Sequence, residues 1–238
     1  MKNNNDMILR DLVKQLGIMS LPGDFDTVSR MLTFNNSTKI LELGGGAASW
    51  SIGITKMLNN SPHITVVENF EFLNYSGDTW WYDWPTCESE LKQSIEETCE
   101  RLGCSHNIQV LDIDAKLLPE KLKHQTFDVI RLDCFEHAAE IKNILRWAYS
   151  SLTNDGLLCI DDIQPSITIN RFMCTMDLVR EKLIKPVWIG SKEAVFCKWE
   201  SDKNFIPKDM QYKLLKVDNL EVDCRDGYEA ISYWRGFE

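Results

Sequence analysis

The sequence predicts an α/β protein: a mostly parallel sheet with helices on both faces, closed at its end by an antiparallel hairpin. Three observations carry this. A short apolar run, Lys39-Ile-Leu-Glu-Leu43, ends in three glycines and gives way to a helical pattern, as the first strand of such a sheet does when it passes through a ligand-binding turn. Apolar strands and amphipathic helices then alternate from residue 63 to residue 183, which implies right-handed crossovers and a parallel sheet. Finally, Pro186-Val-Trp-Ile-Gly190 and Ala194-Val-Phe-Cys-Lys-Trp199 are separated only by Ser191-Lys-Glu193, and two strands joined by three residues run antiparallel.

Gly44, Gly45 and Gly46 suit a tight turn in which the backbone approaches a ligand with no Cβ in the way. The helix after them, from about Ala48 to Asn59, aims its N-terminal amides at whatever occupies that turn. Glu42 stands at the carboxyl end of the strand, where its carboxylate can accept hydrogen bonds from a ligand amine or hydroxyl.

The 238 residues, 44% of them apolar, fit one large domain with a modest extension. The expected division is a helical lead-in over 1–35, the sheet domain over 36–200 with an insertion at 70–88, and an extension over 201–238. With 26 Lys and Arg against 36 Asp and Glu the net charge is −10, and no basic run offers a footprint for nucleic acid. A small-molecule or protein substrate is the expectation from charge alone, with no nucleic-acid partner and room for a homodimer. The N-terminus lacks the layout of a signal peptide, and no apolar run approaches the roughly 20 residues of a membrane span. The expected setting is therefore cytoplasmic, with no membrane partner. Eight scattered cysteines form no CxxC pair, and the Cys99 to Cys104 spacing suits zinc poorly, so reduced thiols in the core are expected.

Along the chain, Ile8, Leu9, Leu12, Val13 and Leu16 recur at helical spacing, and Asp24 and Asp26 can cap a second helix running to about Phe34. His63-Ile-Thr-Val-Val-Glu68 reads as the second strand, which puts Glu68 at its tip beside the glycine turn, where an acid can accept both hydroxyls of a ribose. The insertion carries Trp80, Trp81, Tyr82 and Trp84; its rings either line a substrate pocket, with Trp81 and Trp84 as contacts, or pack on the flank of the sheet. A helix follows through Leu91, Ile95, Cys99 and Leu102. Asn107 to Asp114 is the third strand, Phe127 to Asp133 the fourth and Leu157 to Asp162 the fifth, the last preceded by a helical stripe from Ala138 to Leu152 and the turn Thr153-Asn-Asp-Gly156. A further helix runs through Ile169, Phe172, Met173, Met176, Val179 and Leu183.

Glu42-Leu-Gly-Gly-Gly-Ala-Ala48, Glu68, Asp114-Ala115, the strand ending in Asp133, the Asn-Asp-Gly turn and Asp161-Asp162 together resemble a class I S-adenosylmethionine-dependent methyltransferase, over roughly residues 36 to 200. The resemblance implies a Rossmann-like fold with a mostly parallel seven-stranded sheet. It is nearest to the catechol-type O-methyltransferases of small molecules, which hold a divalent metal. It implies that Glu42, Gly44, Gly45 and Gly46 hold the methionine and ribose region, Glu68 the ribose hydroxyls, and Asp114 and Ala115 the adenine, with Asp133 also beside the cofactor. Asp133, Asp161 and Asp162 match the metal positions, with Mg²⁺ the expected ion for oxygen ligands. The lysine that often serves as base after the fourth strand is absent, and Glu136 and His137 stand there as the candidate base.

Adjacent strand ends about 4.8 Å apart can bring carboxylates onto one hard cation, although Asp161 and Asp162 could both face it only through a turn right after Ile160. The alternative for that pair is a turn that hydrogen-bonds its own loop. The expected reaction is transfer of a sulfonium methyl to a substrate oxygen activated by the metal and deprotonated by His137 or Glu136. Metal-independent N-, O- or carboxyl methylation, a nicotinamide-dependent oxidoreductase and a non-catalytic nucleoside-binding subunit stay open beside it.

Overall fold

The computed structural model describes residues 22–70, 88–134, 137–208 and 210. The expected helix over Ile8 to Leu16, Trp81, Trp84, Glu136 and most of the 201–238 extension lie outside the described residues.

The elements alternate as expected. Helix α1 (Pro22–Phe34) leads into β1 (Lys39–Leu43), α2 (Ser49–Met57), β2 (His63–Glu68), α3 (Glu88–Leu102) and β3 (Ile108–Asp112). A 3₁₀ turn (Ala115–Leu117) then runs into the short α4 (Leu118–Lys121). After it come β4 (Phe127–Leu132), α5 (Ala138–Ser151), β5 (Leu152–Ile160), α6 (Pro165–Arg180), β6 (Ile184–Ile189) and β7 (Ala194–Lys198). The seven strands form one sheet in the order β3-β2-β1-β4-β5-β7-β6. Strands β1 to β5 pair in parallel, while β7 runs antiparallel to both β5 and β6. The order reverses between β1 and β4, and in open α/β sheets ligands bind outside the carboxyl ends of the strands at such a switch point.

Side chains alternate along each strand, so every strand feeds two cores. On one face Ile40, Ile64, Val66, Val129, Leu157, Cys159, Val195 and Cys197 pack with Phe25, Val28 and Met31 of α1, Trp50, Ile52 and Ile54 of α2, and Leu91 and Ile95 of α3. On the other, Leu41, Leu43, Ile130, Leu132, Leu158, Ile160 and Phe196 pack with Leu118, with Ile141, Ile144 and Leu145 of α5, and with Phe172, Met176 and Leu178 of α6. Cys99, Cys104, Cys159, Cys174 and Cys197 are free and buried, as expected of core thiols.

Three local differences have physical causes. Thr153-Asn-Asp-Gly156 does not separate α5 from β5; Leu152 already pairs with Phe127 and Leu157 with Val129, so the turn residues are accommodated as an irregularity within the strand. Helix α6 begins at Pro165, where a proline costs no intrahelical hydrogen bond, and is interrupted at Thr168 (φ −136°, ψ 78°), whose hydroxyl bonds back to the Asp162 carbonyl. Asp24 does not stay with its own helix end. Its carboxylate reaches the β6–β7 turn and accepts from the backbone N–H groups of Ser191 (3.2 Å), Lys192 (2.8 Å) and Glu193 (3.2 Å). Gly190 permits this approach, since a Cβ there would lie 2.7 Å from Asp24 Oδ1 and 2.1 Å from the Trp188 ring.

The lead-in helix is thus tied to the far hairpin by one buried carboxylate. Asp24→Ala should cost about 3 kcal/mol in a urea titration, because three donors lose their acceptor in a site too crowded for easy hydration. A loss below about 0.5 kcal/mol would mean that the hairpin turn holds itself.

Candidate active site

Alternation places four charged side chains in one row across the sheet, just beyond the apolar core that α1 and α2 cover. Glu42 lies two residues after Ile40, Arg131 two after Val129, Asp161 two after Cys159, and Glu193 two before Val195, all four apolar residues belonging to that core. Register completes the row: Glu42 pairs with Arg131 across β1 and β4, and Ile160 with Ala194 across β5 and β7, which brings Asp161 beside Glu193.

Arg131 is the centre of the row. Its guanidinium, 2% exposed, donates from Nη1 to Glu42 Oε1 (3.0 Å) and Asp133 Oδ2 (3.1 Å) and from Nη2 to Asp161 Oδ2 (2.5 Å). Its Nε lies 3.4 Å from Glu193 Oε1, and the Trp50 ring lies 5.0 Å from the guanidinium carbon. Burial disfavours the charge, yet Asp161, Asp133, Glu193 and Glu42 outweigh it and hold the pKa well above the ordinary value. A second buried cation, Arg171 of α6, donates to the backbone carbonyls of Asp161 (2.5 Å) and Cys134 (3.3 Å), and lies 3.7 Å from Asp133 Oδ1.

The acids differ in what they retain. Glu42 is buried with both oxygens engaged, Oε1 by Arg131 and Oε2 by the Ser51 hydroxyl at 2.5 Å, so it supports the glycine turn from beneath. Glu193, 0% exposed, has no hydrogen-bond partner on either oxygen, and burial pushes its pKa up to about 8 against the pull of Arg131. Burial, with the Asp161 charge, also raises the pKa of Asp133.

The glycine turn sits where it was expected. Gly44 has φ +79°, and a Cβ there would lie 2.3 Å from the Asp133 carbonyl oxygen, so only glycine lets the turn after β1 lie against the end of β4. Glu68 reaches across from the tip of β2: its Oε2 accepts from Gly46 N–H at 2.8 Å and its Oε1 from Asn69 N–H at 3.0 Å. Asp114 caps the 3₁₀ turn through Lys116 N–H (2.8 Å), which puts it and Ala115 just past the end of β3. Glycine turn, Glu68 and Asp114 therefore follow β1, β2 and β3 side by side at one sheet edge, and His137 lies exposed at the start of α5 beyond β4.

No known protein-family signature matches the chain. A stretch of 127 residues is 28% identical to part of a polyketide synthase of Dictyostelium discoideum; it covers 51% of this chain and 4% of that much longer protein. Among solved structures, the chain is similar to the O-methyltransferase TomG of Streptomyces achromogenes, involved in tomaymycin synthesis and bound to S-adenosylmethionine (11% identity, TM-score 0.56, 83% of this chain and 91% of that one). It is also similar to a Podospora anserina methyltransferase bound to S-adenosylhomocysteine (12%, TM-score 0.59, 80% and 87%). A third is an O-methyltransferase of Bacillus cereus in complex with S-adenosylhomocysteine (12%, TM-score 0.56, 82% and 91%). The chain has the class I methyltransferase fold.

Within that fold Glu68 presents a carboxylate that, among the described residues, accepts only from the backbone N–H groups of Gly46, Asn69 and Phe70, while the Cβ positions missing at Gly44 and Gly45 face Asp133 and Val66 inside the protein. The expected metal ligands do not fit a divalent ion. The turn after Ile160 exists, with Asp162 at φ 48°, but it parts the two acids: Asp161 turns inward to Arg131, and Asp162 lies 3.7 Å from Lys192 Nζ. Asp133 is held by Arg131 and faces Arg171. Among the described residues no three of His, Cys, Asp and Glu stand close enough to share an ion. Arg131 and Arg171 are the site residues that sequence reasoning missed. The signal for Arg131 was an arginine in strand register with Val129 and Asp133, on a face that alternation makes interior.

Glu193 supplies a pH test. Its pKa rises from an ordinary 4.5 to about 8 on folding, so the stability it contributes is fully present below the lower value and is lost as pH climbs through the upper one. Glu193→Gln removes that loss. The melting temperature of the native protein should fall relative to the variant between about pH 5 and about pH 9. A constant difference across the range would show that Glu193 is ionised throughout.

Proposed function

We propose that this chain is an S-adenosylmethionine-dependent methyltransferase acting on a small-molecule acceptor held over the carboxyl ends of β4 and β5. The observation that carries the reading is the Glu68 carboxylate of β2 closing onto the Gly46 N–H of the turn after β1, next to the switch point of the sheet, in a fold whose similar solved structures include ones bound to S-adenosylmethionine or its demethylated product. The cofactor supplies a methyl group on a positively charged sulfur. This chain's part is to bind, orient and deprotonate. Glu68 accepts the two ribose hydroxyls in place of the backbone amides it now holds, Asp114 and Ala115 border the base, and the turn amides approach the methionine portion. His137, exposed at the start of α5, is the residue this reading assigns to take the acceptor's proton, through one of its ring nitrogens. Alignment of acceptor and methyl carbon supplies the remainder of the rate.

The likeness to a polyketide synthase favours a particular acceptor class, a polyketide-type molecule carrying phenolic oxygens or an acidic C–H between two carbonyls. Both need a base and neither needs a metal. Carbon-13 NMR of a product methylated from labelled cofactor separates the two, since an O-methyl and a C-methyl resonate far apart.

Glu68→Ala should weaken S-adenosylmethionine binding by roughly 10²- to 10⁴-fold in calorimetry, the value of two hydrogen bonds to a charged acceptor. Unchanged affinity, or tighter binding of NAD by the native protein, would overturn the cofactor assignment. His137→Ala should lower kcat by about 10²- to 10⁴-fold while leaving the cofactor's Kd within a few-fold. A kcat that does not move removes His137 as the base.

A further inference from the structure

We propose that Arg131 is the resident counter-ion of the strand-end acids, occupying the electrostatic role that a divalent metal plays in catechol-type relatives, and that this site takes no divalent cation. The fold brings Asp133, Asp161 and Asp162 to the ends of adjacent strands, as a metal site would need. The donors are then used differently. Both Asp133 and Asp161 give their inner oxygen to one guanidinium, at 3.1 and 2.5 Å, and that guanidinium reaches Glu42 and Glu193 as well. Asp161 Oδ1 accepts from Asp162 N–H at 2.9 Å, which leaves no oxygen of that side chain without a protein donor. Asp162, the third expected ligand, lies toward Lys192 instead.

The geometry also argues that a metal could not simply be added. An oxygen-ligated divalent ion needs carboxylate lone pairs converging at about 2.0–2.6 Å, and it would stand against a guanidinium that is itself buried, charged and fixed by four acids and a tryptophan ring. Like charges at that separation, away from water, repel strongly. Arginine suits the role because its planar fork offers five donors to several carboxylates at once, and because it stays protonated at every working pH. It therefore positions rather than reacts. One Nη1 atom joins Glu42, under the cofactor turn, to Asp133, beyond β4, and so fixes the spacing between the two halves of the site.

The test uses the full chain and reads cation binding directly, so it stands whether or not the methyl-transfer reading holds. Titration of the native protein with Mn²⁺, followed by electron paramagnetic resonance of the free ion, should show no stoichiometric site tighter than about 1 mM, and excess chelator should leave its melting temperature and its S-adenosylmethionine affinity unchanged. A stoichiometric Mn²⁺ site in the micromolar range overturns the proposal. Arg131→Met then exposes the role from the other side. With the counter-ion removed, the acids should acquire cation binding, so that Mn²⁺ or Ca²⁺ at about 100 times its Kd raises the melting temperature of the variant by roughly 5–10 °C while leaving the native protein unmoved. A variant that folds, melts like the native protein and ignores divalent ions overturns the proposal as well. Should Arg131→Met not fold, the double variant Arg131→Met with Asp161→Asn, which removes one cation and one acid together, replaces it with the same readout. Arg131→Lys keeps the charge without the fork, and should ignore divalent ions while losing S-adenosylmethionine affinity several-fold.

Discussion

One guanidinium surrounded by four carboxylates determines how the carboxyl edge of this sheet is built. Removing an arginine and its acid partners from water costs several kcal/mol for each ion, and their mutual attraction repays that only where the hydrogen-bond geometry is good. Arg131 meets the condition through direct bonds to Glu42, Asp133 and Asp161 and a close approach to Glu193. The arrangement is unforgiving. Deleting one member leaves an uncompensated buried charge, which is far costlier than the pair is stabilising. The turn after β1, the end of β4, the end of β5 and the start of β7 are consequently held in one relative placement by a single side chain.

That constraint explains features that otherwise look unrelated. The row of charges extends an apolar row, Ile40, Val129, Cys159 and Val195, so the change from oil to ions happens within two residues along each strand and at one depth in the sheet. Gly44 lets the turn lie against the Asp133 carbonyl, next to the strand pair whose register sets Glu42 beside Arg131. Asp24 fixes the hairpin turn that ends in Glu193. Helix α1, the first described element, is by this route coupled to the charged row, and the hairpin that distinguishes the sheet from an all-parallel one supplies its fourth acid.

Much of this was legible in the sequence, and the parts that were not have a common cause. Periodicity and turn chemistry are local, so β1 to β7, the glycine turn, Glu68 at its tip and the antiparallel ending could all be read from neighbouring residues. Even the turn after Ile160 was visible as the condition for Asp161 and Asp162 to share a face. What could not be read is which charges cancel across strands. Arg131 lies 30 residues from Asp161 and 89 from Glu42 along the chain. A reading that matched acids to a family's pattern therefore assigned Asp133, Asp161 and Asp162 to a metal, without the cation beside them in space. The clue was present but unweighted: an arginine at an interior position of a central strand has to be paired.

The charge balance of the edge bears on what it can bind. Glu42, Asp133, Asp161, Asp162 and Glu193 outnumber Arg131, Arg171 and Lys192, and Glu68 and Asp114 add further acid along the neighbouring strands. Burial and the neighbouring acids raise the pKa of both Glu193 and Asp133, so the cluster relieves part of its surplus by favouring the protonated form of an acid. The remainder favours a ligand that carries positive charge and disfavours the same ligand once that charge is gone. A sulfonium cofactor bears one more positive charge than its demethylated product, so on the proposed function the field that assists binding weakens its hold after transfer. Arg131 limits how far this goes: it keeps the inner acids, Asp133 included, satisfied, so the attraction felt at the mouth comes from the partly exposed Glu68 and Asp114.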